Sequence, residues 1–327
     1  LERERERERM EGSERSKILI VGGSGYLGTY MVKASIGMGH PTYVYARPIT
    51  RSTSPSRIQS RREIQSLGAT LVQGELDEQE KLVVAIKQVD IVISTLAVPQ
   101  VLEQLKIIDA IKVAGNVKRF IPSDFGVDED KVTALHPFQA CLDKKKIVRR
   151  AIEAAGIPHT FIASICLGGY FLNHLFPLHQ KSQELTVYGT GEAKAVLALE
   201  EDVAAYTVRV ANDPRTSNRM VFYRPSGAIV SQLELISLWE SKTNQVAKRV
   251  NLSAEELVKL AETSPHPYNV RACIIYSVFV KGDTVNFELE ENDVEIGNLY
   301  PDFKVTTTDQ LLDRWLSDPP KFEYTDL

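Results

Sequence analysis

Residues 17–28 read KILIVGGSGYLG, an apolar strand that passes at once into a glycine-rich turn. Glycines 22, 25 and 28 are weak evidence alone, but here they lie between a first strand and an expected helix at 26–38. Such a turn brings backbone N–H groups close to a pyrophosphate, and the helix N-terminus favours the negative charge. The stretch therefore predicts a dinucleotide-binding α/β fold with a doubly wound parallel Rossmann sheet.

The second expected strand, residues 42–46, ends in Arg47 and has no acid beside it. An acidic residue about 20 positions after the glycine turn would bind the ribose hydroxyls of NAD, whereas an arginine suits a 2′-phosphate. No Asp or Glu occurs from Thr29 to Arg62, while arginines stand at positions 47, 51, 57, 61 and 62. We expect NADPH as the cofactor.

The bulk composition describes an ordinary globular protein. Of 327 residues, 43% are hydrophobic and 25% charged, and the net charge of −4 argues against a general nucleic-acid binder. Three widely spaced cysteines fit a reducing compartment, and we predict a cytoplasmic location with no membrane contact. The six histidines have no metal-ligand spacing, so no metal site is expected. Nothing fixes the oligomeric state, and a homodimer stays open.

The pattern of segments divides the chain into three parts. Residues 1–16, beginning with alternating Glu and Arg, are interpreted as a disordered leader. Residues 17–165 alternate strands with helices and are expected to form the NADP-binding Rossmann domain, with residues 48–62 as a mobile loop. Residues 166–327 are more irregular and are predicted to form a smaller α/β substrate-binding lobe, with some segments returning to the main sheet.

Lys145 is the most informative residue outside the glycine turn. It lies in the basic run of residues 144–150, KKKIVRR, within an expected helix over 137–155. Helical spacing puts it on one apolar stripe with Phe138, Cys141, Val148, Ile152 and Ala155, whereas Lys144, Lys146, Arg149 and Arg150 are predicted to point elsewhere. Burial lowers the pKa of a lysine and makes it a usable general base. A lysine that only snorkels to solvent is the alternative.

Tyrosine catalysis of the usual short-chain dehydrogenase type is not expected. The one Tyr-x-x-x-Lys match, Tyr300 to Lys304, contains Pro301 and lies beyond the expected sheet, so we interpret it as chance. Tyr170 follows the sixth expected strand and should face the cleft, although an aromatic core position is the alternative.

Together these residues resemble the isoflavone-reductase-like branch of the NmrA-type atypical short-chain dehydrogenases, a plant phenylpropanoid family. The glycine turn, Arg47 and Lys145 all match, and the resemblance covers roughly residues 17–318. Further matches lie at 122–126 (PSDFG), at 149–153 (RRAIE) and at 299–301 (LYP). Residues 96–100 (LAVPQ) and 185–194 (LTVYGTGEAK) look most like the eugenol and isoeugenol synthases.

The resemblance implies an NADPH-dependent reductase that converts coniferyl acetate-type esters, small phenolic substrates, to allyl- or propenylphenols. It implies that Lys145 is the base for the phenolic hydroxyl, that Tyr170 is its partner at the substrate, and that Val98 and Val101 line the pocket. Cofactor contacts are then expected from Gly22, Gly23, Ser24, Gly25, Tyr26, Leu27, Gly28, Arg47, Arg51, Leu96, Ala97, Gln100, Ser123, Asp124, Phe125, Lys145, Ile165, Cys166 and Leu167. Relatives often have Asn-Cys-Phe where this chain has Ile165-Cys166-Leu167, beside the expected nicotinamide.

Two other functions stay open at this stage. A benzylic ether reductase acting on pinoresinol or phenylcoumaran lignans would use the same phenol chemistry. A non-catalytic NADP-binding redox sensor would bind the cofactor without turnover, and it would leave an inward Lys145 unexplained. Between the two phenylpropene products, the small side chains of Val98 and Val101 favour the propenyl isomer.

Overall fold

The computed structural model describes residues 15–176 and 184–320, so the leader expected over 1–16 lies almost wholly outside the described residues. Five parallel strands form the main sheet in the order β3-β2-β1-β4-β5. Their bounds are β1 Ile18–Val21, β2 Thr42–Ala46, β3 Thr70–Gln73, β4 Ile91–Ser94 and β5 Arg119–Ile121. The doubly wound parallel sheet predicted from the glycine turn is confirmed.

Both faces of β1 are buried, as a parallel sheet with helices on each side requires. Ile18 and Ile20 belong to one core cluster, and the alternate residues Leu19 and Val21 belong to the other. The helices that cover these faces are α1 Tyr26–Gly37, α2 Pro55–Ser66, α3 Gln79–Ile86, α4 Gln104–Ala114, α5 Phe138–Ala154 and, from later in the chain, α7 Glu200–Asn212. Helices α1 and α7 pack on one side, and α3 and α4 pack together on the other.

A second parallel group of strands continues the sheet direction. It consists of β6 Thr160–Ala163, β10 Arg219–Phe222 and β13 Val294–Glu295, in the order β13-β10-β6. A single parallel bridge between Phe120 and His159 connects β5 to the start of β6. Later segments of the chain therefore return to the strands of the N-terminal half. A division of the chain at residue 165 stays a prediction.

Smaller elements complete the C-terminal half. One three-stranded sheet has the order β11-β9-β7, and a two-stranded sheet pairs β12 with β8. The strands are β7 Cys166–Leu167, β8 Glu184–Tyr188, β9 Lys194–Ala198, β11 Ile229–Ser231 and β12 Lys248–Leu252. The remaining helices are α6 Gly168–Leu175, α8 Gln232–Thr243, α9 Ala254–Thr263, α10 Tyr268–Ile275, α11 Ile296–Leu299 and α12 Thr308–Ser317. In the two described stretches, every helix is too short or too polar to cross a membrane.

The prediction of a mobile loop over residues 48–62 is wrong for the second half of that segment, because α2 begins at Pro55. The side chain of Ser54 accepts a hydrogen bond from the backbone N–H of Arg57 and caps the helix, and proline suits the first helical position. Arg61 and Ile64 are the buried residues of this helix. The apolar pattern was too sparse to indicate a helix, because one of its two inward side chains is an arginine.

Candidate active site

A cavity of about 570 Å³ opens at the carboxyl ends of β1, β4 and β5. Open α/β sheets bind their ligands at this edge. Most of the predicted site residues lie in its wall: Gly22, Ser24, Gly25, Tyr26, Leu27, Arg47, Leu96, Ala97, Val98, Gln100, Val101, Ser123, Phe125, Lys145, Ile165, Cys166, Leu167 and Tyr170. The fold thus brings residues from distant parts of the sequence into one cleft.

The glycine turn has the close backbone packing that a phosphate cradle needs. Gly22 has φ +85°, and the N–H of Gly25 donates to its carbonyl at 2.9 Å. A Cβ on Gly28 would lie 2.2 Å from the Gly22 carbonyl oxygen, so only glycine lets α1 approach the turn this closely. The first turn of α1 therefore points its N-terminus into the cavity, an arrangement that fits a pyrophosphate.

Four predicted cofactor residues are not in the wall of the cavity. A Cβ on Gly23 would meet Val44 at 2.9 Å, so Gly23 and Gly28 serve the packing of the turn rather than its exposed face. Arg51 lies outside the wall, and the carboxylate of Asp124 is engaged by Arg149. Direct cofactor contacts by these four residues stay predictions.

Three arginines line one end of the cavity. Arg47 follows β2, and Arg57 and Arg61 lie one turn apart on α2. Arg61 is only 6% exposed, and its Nε has no hydrogen-bond partner among residues 15–176 and 184–320. Burial, together with the charges of Arg47 and Arg57, lowers the pKa of Arg61. Positive charge concentrated in this way fits an anionic group such as the 2′-phosphate of NADPH.

Lys145 lies at the other end, on the inner side of α5. Its side chain is 13% exposed, which confirms the predicted inward orientation. The amine is 3.2 Å from Oε1 of Glu129, a carboxylate with no solvent exposure. A Cβ on Gly126 would also lie 3.2 Å from the amine, so glycine at this position leaves room around the nitrogen. Sequence reasoning did not identify Glu129, because no local spacing connects it to Lys145.

The prediction that Arg149 points away from the inner stripe is wrong. Arg149 is 2% exposed, one of the largest fully buried side chains in the described chain. Its guanidinium pairs with Asp124 at 2.7 Å, with Asp128 at 2.5 Å and with Glu129. Burial opposes the charge, but Asp124, Glu129 and Asp128 outweigh it and raise the pKa of Arg149. A buried cation is tolerated because surrounding carboxylates pair with it.

A buried hydrogen-bond network connects the glycine turn to helix α6. The hydroxyl of Tyr26, on the glycine turn side, donates to Oε1 of Glu200 at 2.8 Å. The same carboxylate oxygen accepts from the backbone N–H of Gly169 at 3.1 Å, at the start of α6. Helix α6 carries Tyr170, whose ring packs edge-on against His174 with centroids 4.5 Å apart. The side chain of Glu200 therefore holds the glycine turn and helix α6, which carries Tyr170, together.

The hydroxyl of Ser123 holds the loop that carries the two predicted pocket valines. It donates to the Leu96 carbonyl at 2.7 Å, and a short 3₁₀ helix, Val98–Glu103, follows. Val101 is 2% exposed, and both Val98 and Val101 line the cavity. The loop therefore presents small apolar side chains next to the glycine turn.

Ile165, in the segment that departs from the family pattern, has an unusual backbone. It has φ +70°, and its N–H donates to the Gly126 carbonyl at 3.0 Å. A β-branched residue rarely adopts this conformation, which asparagine tolerates better. Burial raises the pKa of the neighbouring Cys166 thiol, so it stays protonated. The hydrogen bond to Gly126 thus holds the strained backbone of Ile165 in place, with its apolar side chain in the cavity wall.

Sequence reasoning missed several apolar residues of the wall. Phe138 and Cys141 were placed on the stripe of Lys145 but not in the pocket, although the same helical spacing would have indicated it. Arg57 and Arg61 are four residues apart, a helical spacing obscured by the expected loop. Leu142, Phe171, Ile274 and Val278 also line the cavity, and no local pattern predicts them. Ile274 and Val278 come from the C-terminal half and reach the site only through the tertiary fold.

A family model described as NmrA-like matches residues 14–312 of this chain. The chain is 52% identical over 308 residues to isoeugenol synthase 1 of Petunia hybrida, covering 94% of this chain and 95% of the relative. It is 50% identical to isoeugenol synthase 1 of Clarkia breweri, over 92% and 96% of the two chains. Eugenol synthase 2 of Clarkia breweri is 43% identical, over 92% and 99%.

Solved structures agree in fold. A binary complex of leucoanthocyanidin reductase from Vitis vinifera with NADPH has a TM-score of 0.87 and 31% identity, covering 92% of this chain and all of that chain. A complex containing NADP⁺ and (+)-pinoresinol has a TM-score of 0.85 and 35% identity, covering 92% of this chain and 98% of the other.

Proposed function

The chain belongs to the NmrA-like family, and we propose that it is an NADPH-dependent reductase converting coniferyl acetate-type esters to phenylpropenes of the eugenol and isoeugenol kind. The observation that carries this proposal is one cavity with two different ends. A glycine turn with Arg61 lies at one end, and the inward amine of Lys145 lies at the other. Isoeugenol and eugenol synthases are among the relatives with 43–52% identity.

The residues at the first end fit the cofactor. The glycine turn of residues 22–28 would hold the pyrophosphate at the start of α1, and Arg47, Arg57 and Arg61 would hold the 2′-phosphate. The buried Nε of Arg61, without a partner in the described ranges, is the atom that most needs such an acceptor. When bound, NADPH supplies a hydride.

The residues at the second end fit a phenol. Lys145 takes the proton of the para-hydroxyl, and the resulting phenolate pushes electrons through the ring and side chain. The terminal C–O bond of the ester breaks, acetate leaves, and the substrate becomes a quinone methide. Reduction of this electrophile gives the phenolate of the product, which recovers its proton from Lys145. Tyr170 also lies in the cavity wall and is proposed to contact the substrate.

The apolar wall protects the quinone methide from water. Phe138, Leu142, Phe171, Ile274 and Val278 surround the cavity beyond the polar groups. A reactive intermediate that water would otherwise consume needs such a surrounding. This wall also suits the planar aromatic ring of a phenylpropanoid.

We propose the propenyl isomer as the product. Hydride delivery to the terminal carbon gives a propenylphenol, whereas delivery to the benzylic carbon gives an allylphenol. The small side chains of Val98 and Val101 leave room for the ring to shift relative to the nicotinamide. The higher identity to isoeugenol synthases than to the eugenol synthase supports the same choice.

Reduction of benzylic ethers in lignans is the second candidate function. The phenol chemistry is the same, and a structural neighbour at 35% identity holds (+)-pinoresinol. Purified protein should be incubated with NADPH and, separately, coniferyl acetate, pinoresinol and a phenylcoumaran lignan, with products identified by chromatography. We expect isoeugenol from coniferyl acetate. Turnover of lignans alone would refute the first proposal, and NADPH binding without oxidation by any of them would favour a sensor.

A further inference from the structure

The chemistry described above leaves the buried carboxylate beside Lys145 without a role. Glu129 has no solvent exposure, and its Oε1 lies 3.2 Å from the Lys145 amine. Its second oxygen pairs with Arg149, which fixes the carboxyl group from behind. The amine alone is partly exposed and lines the cavity, so it stands between Glu129 and a bound phenol.

The charges around Glu129 are unbalanced. Lys145 and Arg149 face it from α5, and Asp124 faces it from the segment after β5. Asp128, the third buried carboxylate, pairs with Arg149. Three buried carboxylates therefore share one guanidinium and one partly exposed amine. Burial, and then the charge of Asp124, raises the pKa of Glu129 to about 8, against the opposing effect of the two cations.

On the premise of the function proposed above, we propose that Glu129 is a positioning residue through which Lys145 acts as a base near neutral pH. Together, the Lys145 amine and the Glu129 carboxylate share one titrating proton before the phenol is ionised and hold a second one afterwards. As the phenolic O–H bond breaks, an N–H bond forms on Lys145, and the proton already shared by the pair rests on the Glu129 carboxyl. Nothing is oxidised or reduced in this step. The borrowed proton returns to the phenolate of the product.

The pairing solves a chemical difficulty of the lysine mechanism. An isolated lysine holds its proton until about pH 10, and an ordinary carboxylate with a pKa of about 4.3 is a poor acceptor for a phenolic proton. A base works best when its pKa lies near the operating pH. A buried carboxylate with raised proton affinity, in contact with the amine, provides an acceptor in that range.

The test is the pH dependence of kcat/KM for coniferyl acetate in the holoenzyme, because a structural role alone would not move it. The wild-type rate should rise with pH through an ionisation near 8. Glu129→Gln should move this limb upward by at least about one pH unit and lower turnover at pH 7 by about 10- to 100-fold. Glu129→Asp, which keeps a carboxylate, should retain the limb and recover part of the rate.

Asp130→Asn is the matched control. It removes one carboxylate from the same segment, but Asp130 is 40% exposed and pairs with Arg150 and Arg149 rather than Lys145. Its profile should match that of the wild type. A wild-type profile without an ionisation between pH 6 and 9, or a Glu129→Gln profile equal to it, would overturn the proposal. If Glu129→Gln fails to fold, the pH profiles of the wild type and Glu129→Asp test the proposal, and the absence of an ionisation between pH 6 and 9 in both would overturn it. A wild-type protein inactive on coniferyl acetate at every pH would refute the proposed function itself.

Discussion

At one end of the cavity Arg61 lies with Arg47 and Arg57, whereas Arg149, behind Lys145 at the other end, is surrounded by carboxylates. The two buried arginines are similarly hidden, with exposures of 6% and 2%. Burial and like charges lower the pKa of Arg61, but Asp124, Glu129 and Asp128 outweigh burial and raise the pKa of Arg149. The first arginine suits an anion supplied by a ligand, and the second belongs to the protein's own structure. Residue type alone does not distinguish these roles.

The largest effect is expected at Lys145, which separates chemistry from cofactor binding. Lys145→Ala should lower turnover of coniferyl acetate by about 10²- to 10⁴-fold, the usual contribution of a positioned base. NADPH affinity should stay within a few-fold, because the arginine end is untouched. Steady-state kinetics and fluorescence titration of NADPH measure the two quantities.

Lys144→Ala is the control for that change, since Lys144 is the exposed neighbour on the same helix. It should leave both quantities unchanged. Near-normal turnover in Lys145→Ala would remove the residue from the role of base.

Arg149→Met tests the claim that Arg149 stabilises the folded protein. Removing the cation leaves Asp124, Asp128 and Glu129 without their shared partner, and breaking a buried ion pair costs about 3–5 kcal/mol. Arg150→Met, at a 55% exposed side chain that pairs with Asp130 and Glu153, should cost less than about 1 kcal/mol. Chemical denaturation measures both. Equal losses would mean that the buried cluster does not depend on Arg149.

Arg61→Gln tests the claim that Arg61 binds the 2′-phosphate of NADPH. Losing a charged hydrogen bond to phosphate should weaken NADPH binding by about 10- to 100-fold, from about 1.5–3 kcal/mol. NADH binding should change little, because NADH has no 2′-phosphate. Arg62→Gln, the exposed neighbour, should affect neither cofactor. Equal weakening of NADPH and NADH binding would show that Arg61 supports the fold rather than the phosphate.

The last expected effect is the dependence of folding stability on pH at Glu129. Its folded pKa is raised from an ordinary value of 4.5 to about 8, so the folded state holds the proton more tightly. This contribution to stability is fully present below pH 4.5 and is lost as pH rises through about 8. Relative to the wild type, Glu129→Gln should therefore gain unfolding free energy as the pH rises across that range. A pH-independent difference between the two proteins would contradict the raised pKa.

The elements with strong local signals were predictable from sequence. The predicted strand at 42–46 matches β2 to the residue, and the glycine turn lies at the first strand-to-helix junction as expected. Lys145 faces inward because helical spacing is a geometric property of the chain. Local hydrogen bonding and periodicity suffice for features of this kind.

The remaining features depend on tertiary contacts. Arg149 was expected to point elsewhere, because nothing in the periodicity of α5 indicates that the carboxylates of residues 124–129 would fold over it. Helix α2 was missed because its inward face uses Arg61 as well as Ile64. Ile274 and Val278 reach the cavity from almost the other end of the sequence. The orientation of a buried charged side chain depends on partners that are distant in sequence, so local periodicity does not predict it.

One labelling experiment tests the central claim most directly. The wild-type protein is given coniferyl acetate and NADPH carrying deuterium at the transferable position, and the product is examined by chromatography and NMR. We predict isoeugenol with one deuterium in its terminal methyl group, together with an equivalent of acetate. Unreacted ester, or a product without deuterium, would contradict the account.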